Sequence, residues 1–234
     1  MDAPKVSIVI PTMNEEASIG RVLDEVAAAM RGQDPYEVVV VDTASRDRTV
    51  EIAMAKGARV VPEPRRGYGR AYKTGFAAAR GEVIVTLDAD LTYPASQIPE
   101  CVRYVTTEGA DFVSGNRFAD LAPGAMSGMH RLGNRILTAA FRLLFGFPIR
   151  DSQSGMWVFR RAILDELELV HEGMAFSEEL KAEVIRKGLA FQEVPIEYRE
   201  RVGEKKIRSV RDAFTNLVWL FRKRLGWVPR AGGA

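Results

Sequence analysis

The sequence holds one cysteine and two histidines in 234 residues. A single thiol, Cys101, cannot close an internal disulfide; on a predicted apolar helix it reads as a packed core thiol in a reducing compartment. Cys101, His130 and His171 are too few for a zinc set. No apolar run approaches the roughly 18–20 residues that cross a bilayer, so membrane contact is expected to be peripheral. No leader pattern precedes the first strand, since Met1–Pro4 runs straight into it. A net charge of +2 is too small to point to nucleic acid. There is no Gly-x-Gly-x-x-Gly after the first strand and no Gly-Lys-Ser/Thr, which argues against a dinucleotide fold and a P-loop. Internal repeats, low-complexity tracts and an obvious linker are also missing.

What is present is ordinary globular composition, 47% apolar and 27% charged, enough to bury a real core. Apolar strands are expected at Val6–Ile10, Glu37–Val41, Arg59–Val61, Val83–Leu87, Asp111–Ser114, Met156–Phe159 and Phe191–Tyr198. Helical spacing separates the early ones: Ile19–Met30 with Asn14 as its N-cap, Ser45–Lys56, Arg70–Ala79 and Gln97–Thr106. Strands alternating with helices predict a mainly parallel α/β sheet. The regularity then breaks. Ala119–Met129 reads as a mobile loop over a cleft, Arg131–Phe147 as a helix that is either core or lipid-contacting, and Phe176–Arg186 as an amphipathic helix.

In open α/β sheets, ligands bind beyond the carboxyl ends of the strands. Here those ends carry Thr12–Glu15, Asp42, Asp88/Asp90 and Asn116/Arg117. If the chain stays extended, Asp88 and Asp90 point the same way, where two carboxylates suit Mg²⁺ or Mn²⁺ together with substrate phosphates. Asp is also a frequent turn residue, which leaves a plain strand-ending turn open.

Four segments resemble the GT-A inverting glycosyltransferases of family 2: Val-Ser-Ile-Val-Ile-Pro-Thr-Met-Asn-Glu (6–15), Val-Val-Asp (40–42), Gly-Tyr-Gly-Arg-Ala-Tyr-Lys-Thr-Gly (67–75) and Asp-Ala-Asp-Leu (88–91). Gly-Asn-Arg (115–117), Asp-Ser-Gln-Ser-Gly (151–155), Glu-Val-Pro-Ile (193–196) and Arg-Val-Gly-Glu-Lys-Lys-Ile (201–207) resemble the branch of dolichyl- or polyprenyl-phosphate hexose synthases. The resemblance implies a Rossmann-like GT-A domain over 1–206, with a basic amphipathic helix and tail over 207–234.

It also implies roles. Asp42 would bind the nucleotide base, with Pro11, Met13 and Glu15 lining the base and ribose pocket; Lys73 and Ala89 fall among the nucleotide-sugar contacts. Asp88 and Asp90, with Thr92 as an extra ligand, would hold Mg²⁺ or Mn²⁺ against the diphosphate. Arg117, Arg131, Arg201 and Lys206 match phosphate-gripping positions, and Asp151 an acidic residue near the acceptor that orients either the sugar or an arginine, or serves only as a turn residue. An acceptor phosphate is already ionised near neutral pH, so no general base is needed.

The implied reaction is transfer of a hexose from a UDP- or GDP-sugar to a polyprenyl phosphate at the cytoplasmic face of the membrane. A soluble phosphorylated acceptor is the enzymatic alternative. An inactive nucleotide-sugar-binding module is another: the family usually carries Tyr at Met13, often a second Asp at Thr43 and often Gln at Thr92. At the C-terminus Ile207, Val210, Phe214, Leu217, Phe221 and Leu225 form a stripe flanked by Arg208, Arg211, Arg222, Lys223 and Arg224, with Trp219 and Trp227 nearby. Such a stripe lies on an anionic bilayer, packs on its own domain, or pairs with a second copy of the chain.

Overall fold

The structure, a computed structural model, describes residues 3–203 and 209–226. Seven strands form one sheet: β1 (Val6–Thr12), β2 (Tyr36–Asp42), β3 (Arg59–Pro62), β4 (Val83–Thr86), β5 (Phe112–Leu121), β6 (Trp157–Arg160) and β7 (Phe191–Tyr198), in the order β3-β2-β1-β4-β6-β5-β7. β1 is parallel to β2 and β4, β2 to β3, and β5 to β7; β6 alone runs antiparallel, to both β4 and β5.

Seven α-helices accompany them: α1 (Ile19–Ala29), α2 (Thr49–Ala55), α3 (Tyr68–Ala78), α4 (Ile98–Thr106), α5 (Gly128–Phe145), α6 (Phe176–Arg186) and α7 (Ser209–Arg224). Side chains alternate across a strand, so β1 divides its apolar residues between two cores. Ile8 and Ile10 pack with Val22 and Val26 of α1 and Val105 of α4, while Val9 packs with Tyr72 and Phe76 of α3 and Phe176 and Leu180 of α6. α3 lies close to the sheet because Gly75 permits it; a Cβ there would stand 2.4 Å from Val9 Cγ1. Cys101 is buried in the first core, and burial pushes its thiol up to about 12, as a packed core thiol requires.

Several sequence expectations need correction. Asn14 does not cap α1; it adopts a left-handed φ of 54° and its Oδ1 accepts from the Arg46 amide. Ala119–Met129 is not one loop, because β5 extends to Leu121 and α5 begins at Gly128, capped by Ser127. α6 is not amphipathic: Ser177, Glu178, Glu179, Lys181 and Glu183 are buried along with its apolar residues. Charged residues reach buried positions of α6 because they meet polar partners there: Lys181 faces three oxygens, and Glu179 and Glu183 pair with the Lys223 ammonium.

α7 packs on the domain, but not through the expected stripe. Leu220 is buried with Phe141, Ile149 and Ala182. Lys223 donates to the Glu168 carbonyl and pairs with Glu179 and Glu183, so it is an anchor, not a flanking surface base. Trp219 stacks edge-on with His171, its ring 4.5 Å away. Phe214, Phe221 and Leu225 remain exposed. Lys206, Ile207, Arg208 and Trp227 lie outside the described residues, as do the side chains of Val210 and Arg211.

Candidate active site

The cleft lies at the carboxyl ends of β1, β2 and β4. Just beyond each of these strands sits a non-glycine residue in the left-handed region: Asn14 (φ 54°), Ala44 (φ 49°) and Leu91 (φ 68°). Such conformations cost on the order of 1–3 kcal/mol and persist where surrounding structure holds them, often at ligand sites.

On the β1–β2 side, Asp42 is held by its neighbours. Its carboxylate accepts from Thr12 Oγ1 (3.0 Å), the Ser45 amide (2.9 Å) and Ser45 Oγ (2.5 Å). Pro11 is the penultimate residue of β1 and Met13 directly follows the strand, and Thr12 between them pairs in register with Asp42. The Glu15 amide donates to Thr49 Oγ1 at 2.7 Å, fixing Glu15 at the same rim.

β4 ends at Thr86, so Asp88-Ala89-Asp90 forms a turn and is not the extended stretch assumed from sequence. The two carboxylates nevertheless face one another electrostatically. Burial, then the charge of Asp90, pushes Asp88 up to about 7. Asp90 is buried; its Oδ1 accepts from the Thr92 amide (3.0 Å) and hydroxyl (2.6 Å), and its Oδ2 from Arg201 Nε (2.7 Å). Thr92 therefore orients Asp90. Arg201 arrives because the segment after β7 is latched to this turn, the Arg199 amide on the Thr92 carbonyl and the Val202 amide on that of Asp90. Ala89 is buried between the two acids.

The residues fit a divalent ion. Asp88 is a carboxylate short of positive charge, and its donor set is all oxygen. Among the described residues no group of three or more His, Cys, Asp or Glu could hold a metal, so two carboxylates would leave the other ligands to substrate phosphate and water, as Mg²⁺ sites commonly do. The pH dependence has a definite sign. An unfolded Asp ionises near 3.8 and Asp88 near 7, so the metal-free protein loses stability as pH rises between them. Metal binding competes with the proton, so the rise in melting temperature caused by Mn²⁺ is expected to grow from pH 6 to pH 8. A rise that is equal at both pH values, measured by differential scanning fluorimetry, would contradict this assignment.

The opposite wall comes from β5 and the 151–155 turn. Arg117 and Asp151 are both buried and form a two-pronged pair, Nε to Oδ2 at 2.7 Å and Nη2 to Oδ1 at 2.8 Å, with the Arg117 amide also on Oδ2 at 3.1 Å. Burial pushes Asp151 up, but the Arg117 charge, the hydrogen bonds from Arg117 and the Lys181 charge together hold the carboxyl below its usual range. Asp151 thus orients an arginine. The antiparallel strand β6 places this turn beside the acids: Thr86 Oγ1 donates to the Gly155 carbonyl (2.7 Å) and accepts from the Trp157 amide (2.8 Å). The Gly155 amide donates to Tyr93 Oη at 2.8 Å. A Cβ on Gly155 would lie 2.7 Å from Tyr68 Oη and 3.7 Å from Asp88 Oδ1, so only glycine lets the turn close on the site.

Two predicted residues stand apart. Lys73 Nζ is directed to the Val170 carbonyl (3.3 Å), and Arg131 is exposed on the first turn of α5. Sequence reasoning missed Tyr93, Tyr68 and Tyr72; the last approaches Asp88 with its hydroxyl at 3.4 Å. The spacing of Tyr68 and Tyr72, one helical turn apart within the 67–75 motif, was the available signal.

Residues 7–168 match the family model described as glycosyl transferase family 2. The chain belongs to glycosyltransferase family 2. It is a glycosyltransferase with a GT-A fold, as its motifs led us to expect. It is 35% identical to the low-salt glycan biosynthesis hexosyltransferase Agl6 of Haloferax volcanii over 99% of its length, and spans 56% of that relative's length. It is 38% identical to a dolichyl-phosphate hexose transferase of the same organism, covering 86% of each chain. Among solved structures it is similar to glucosyl-3-phosphoglycerate synthase from Mycobacterium tuberculosis in complex with Mn²⁺, UDP-glucose and phosphoglyceric acid, with a TM-score of 0.76 and 27% identity over 98% of this chain and 82% of that one.

Proposed function

We propose that this glycosyltransferase moves a hexose from a nucleoside-diphosphate sugar to a polyprenyl phosphate at a membrane surface, with inversion at the anomeric carbon. A phosphate oxygen of the acceptor bonds to that carbon as the bond to the leaving diphosphate breaks. Asp42, Pro11, Met13 and Glu15 serve the base and ribose, and Asp88 and Asp90 would hold the divalent ion. When bound, that ion acts as a Lewis acid on the departing diphosphate. Arg117, fixed by Asp151, and Arg201, fixed by Asp90, offset the repulsion between two anionic substrates. An ionised phosphate needs no base, and no histidine is required.

The observation that carries the lipid acceptor is the outer face of α5 and α7. Leu143 is 83% exposed, Met129 75% and Phe214 69%, with Leu132, Ile136, Phe221 and Leu225 around them. Exposed apolar surface of this kind on paired helices marks an interaction site. The buried sides of the same two helices meet the acceptor turn: Thr138 of α5 bonds to Ser152, and Asn216 of α7 donates to Gln153 Oε1. Exposed Arg222 and Arg224 border it, as suits anionic lipid. Among the described residues no helix is long and apolar enough to cross a membrane. The similarity to a dolichyl-phosphate hexose transferase supports the same reading. The solved relative bound to phosphoglyceric acid favours a second one, a soluble phosphorylated acceptor.

The deciding experiment offers labelled UDP- and GDP-hexoses with Mn²⁺ or Mg²⁺ to polyprenyl phosphate in anionic vesicles and, separately, to phosphoglycerate. Label is expected in the lipid. Burial of one Leu or Phe side chain is worth about 1.5–3 kcal/mol, so Leu143→Glu with Phe214→Glu should weaken vesicle binding by at least about tenfold while donor binding is kept. Label only in a water-soluble product would establish the second reading.

A further inference from the structure

Behind the acceptor turn lies a buried pair of charged side chains that the reaction above does not use. Lys181 and Glu178, one turn apart on α6, are both fully buried. The Lys181 ammonium donates to the Ser152 carbonyl (2.8 Å), the Ser154 carbonyl (2.7 Å) and Ser177 Oγ (3.2 Å). Its three N–H groups thus meet three acceptors, two of them on either side of Gln153. The Ser154 carbonyl is also held by Trp157 Nε1 (2.6 Å) and Ser177 Oγ (3.0 Å).

We infer that Lys181 is a positioning residue of the acceptor wall: from α6 its ammonium ties down the 151–155 turn, so that Asp151 locks Arg117 and Gly155 closes beside Asp88. This rests on the reading of Arg117 and Asp151 as the acceptor side. The coupling is visible at Asp151, where the charge of Lys181 is one of the influences, after that of Arg117, that keep the carboxyl ionised against burial. The far side of the turn is held by Tyr93 and Thr86, so a released Ser152 carbonyl lets the turn pivot between fixed points.

The ammonium is costly to keep. Burial pushes Lys181 down to about 7; Asp151, Glu193 and Glu178 favour its charge and Arg117 opposes it. From α7, uncharged Asn216 bonds to Gln153, and the Lys223 ammonium is paired with Glu179 and Glu183 of α6. Burial pushes the Glu178 carboxyl up to about 8, opposed by the charge of Lys181 and by the side chains of Gln153 and Ser152. A neutral amine has only two N–H donors for three acceptors, so the turn loosens as pH rises through about 7.

The test follows amide hydrogen exchange of residues 151–155 and kcat against pH, without acceptor for the first measurement. In the wild type, protection of these amides is expected to fall between pH 6 and 8.5. Lys181→Met should lower protection by about tenfold at pH 6 and leave it flat across that range. Its kcat should fall by a similar factor with donor KM unchanged. Unchanged protection in Lys181→Met, or, if that variant does not fold, a wild type whose protection stays flat between pH 6 and 8.5, overturns the inference. Failure of the acceptor reading would show separately, as a wild type that labels no lipid while exchange follows the pattern described.

Discussion

Asp90→Ala is expected to lower kcat/KM by about 10³-fold, a loss of about 4 kcal/mol of transition-state stabilisation. Three structural consequences add in this one change. The proposed divalent ion loses one of its two carboxylates. Thr92 loses the oxygen that both its amide and its hydroxyl address. Arg201 loses the partner that brings it to the site, where Asp90 outweighs the cost of its burial and raises it above its usual range. Asp90→Asn separates these effects, because an amide still accepts from Thr92 but is a poor ligand for Mg²⁺ or Mn²⁺. Calorimetric titration with Mn²⁺ and donor, beside steady-state rates, should show both variants defective in metal-dependent donor binding. An Asn variant with wild-type rates would mean that neither a metal ligand nor the Arg201 pair is needed at this position, only the acceptor for Thr92.

Asp151→Ala should be the most destabilising single change in the site. Arg117 is 4% exposed and Asp151 fully buried, so removal of the carboxylate leaves an uncompensated guanidinium in the interior. Breaking one side of such a pair costs about 3–5 kcal/mol. The Arg117 amide, the Gln153 amide and the guanidinium all lose an acceptor at once. Glu193, which accepts from the Arg150 and Asp151 amides, keeps the backbone of the turn in place but cannot reach the lost contacts. Urea unfolding near pH 7 measures the loss. The double variant Arg117→Met with Asp151→Leu should be less destabilised than Asp151→Ala, since no charge is then stranded. Because the folded carboxyl sits below its usual range, its contribution is complete above the unfolded Asp value and disappears as pH falls through the folded one. The stability gap between wild type and Asp151→Ala should therefore narrow in acid. A gap that persists unchanged at low pH would assign the loss to packing.

The polar residues at the ends of β1, β2 and β4 were legible because period and composition locate a buried strand, and topology places ligands past its carboxyl end. Asp42 and the Asp88/Asp90 pair were found by that route. The acids lie in a turn followed by a left-handed Leu91 and not in an extended strand, so period alone did not give their arrangement. The family motifs led to Arg117 and Asp151 as separate candidates. That Asp151 orients an arginine was one of the alternatives; which arginine was not legible, because 34 residues of chain separate the two and only the sheet brings them together.

The sequence by itself determined the α/β class, the family and the positions of the acids, because each rests on local signals: short-range periodicity, turn chemistry and contiguous motifs. The tertiary structure alone decided three things. Reversal of β6 carries the 151–155 turn to the wall opposite the β1–β2 side, since strand direction depends on which neighbour the chain pairs with. Burial of α6 on every side turns Glu178 and Lys181 from surface charges into a prop, because a charge pattern does not state what faces it. Docking of α7 through Leu220 and Lys223 chooses which of its faces stays exposed, and that choice follows from the partners α5 and α6 offer to an otherwise ambiguous helix.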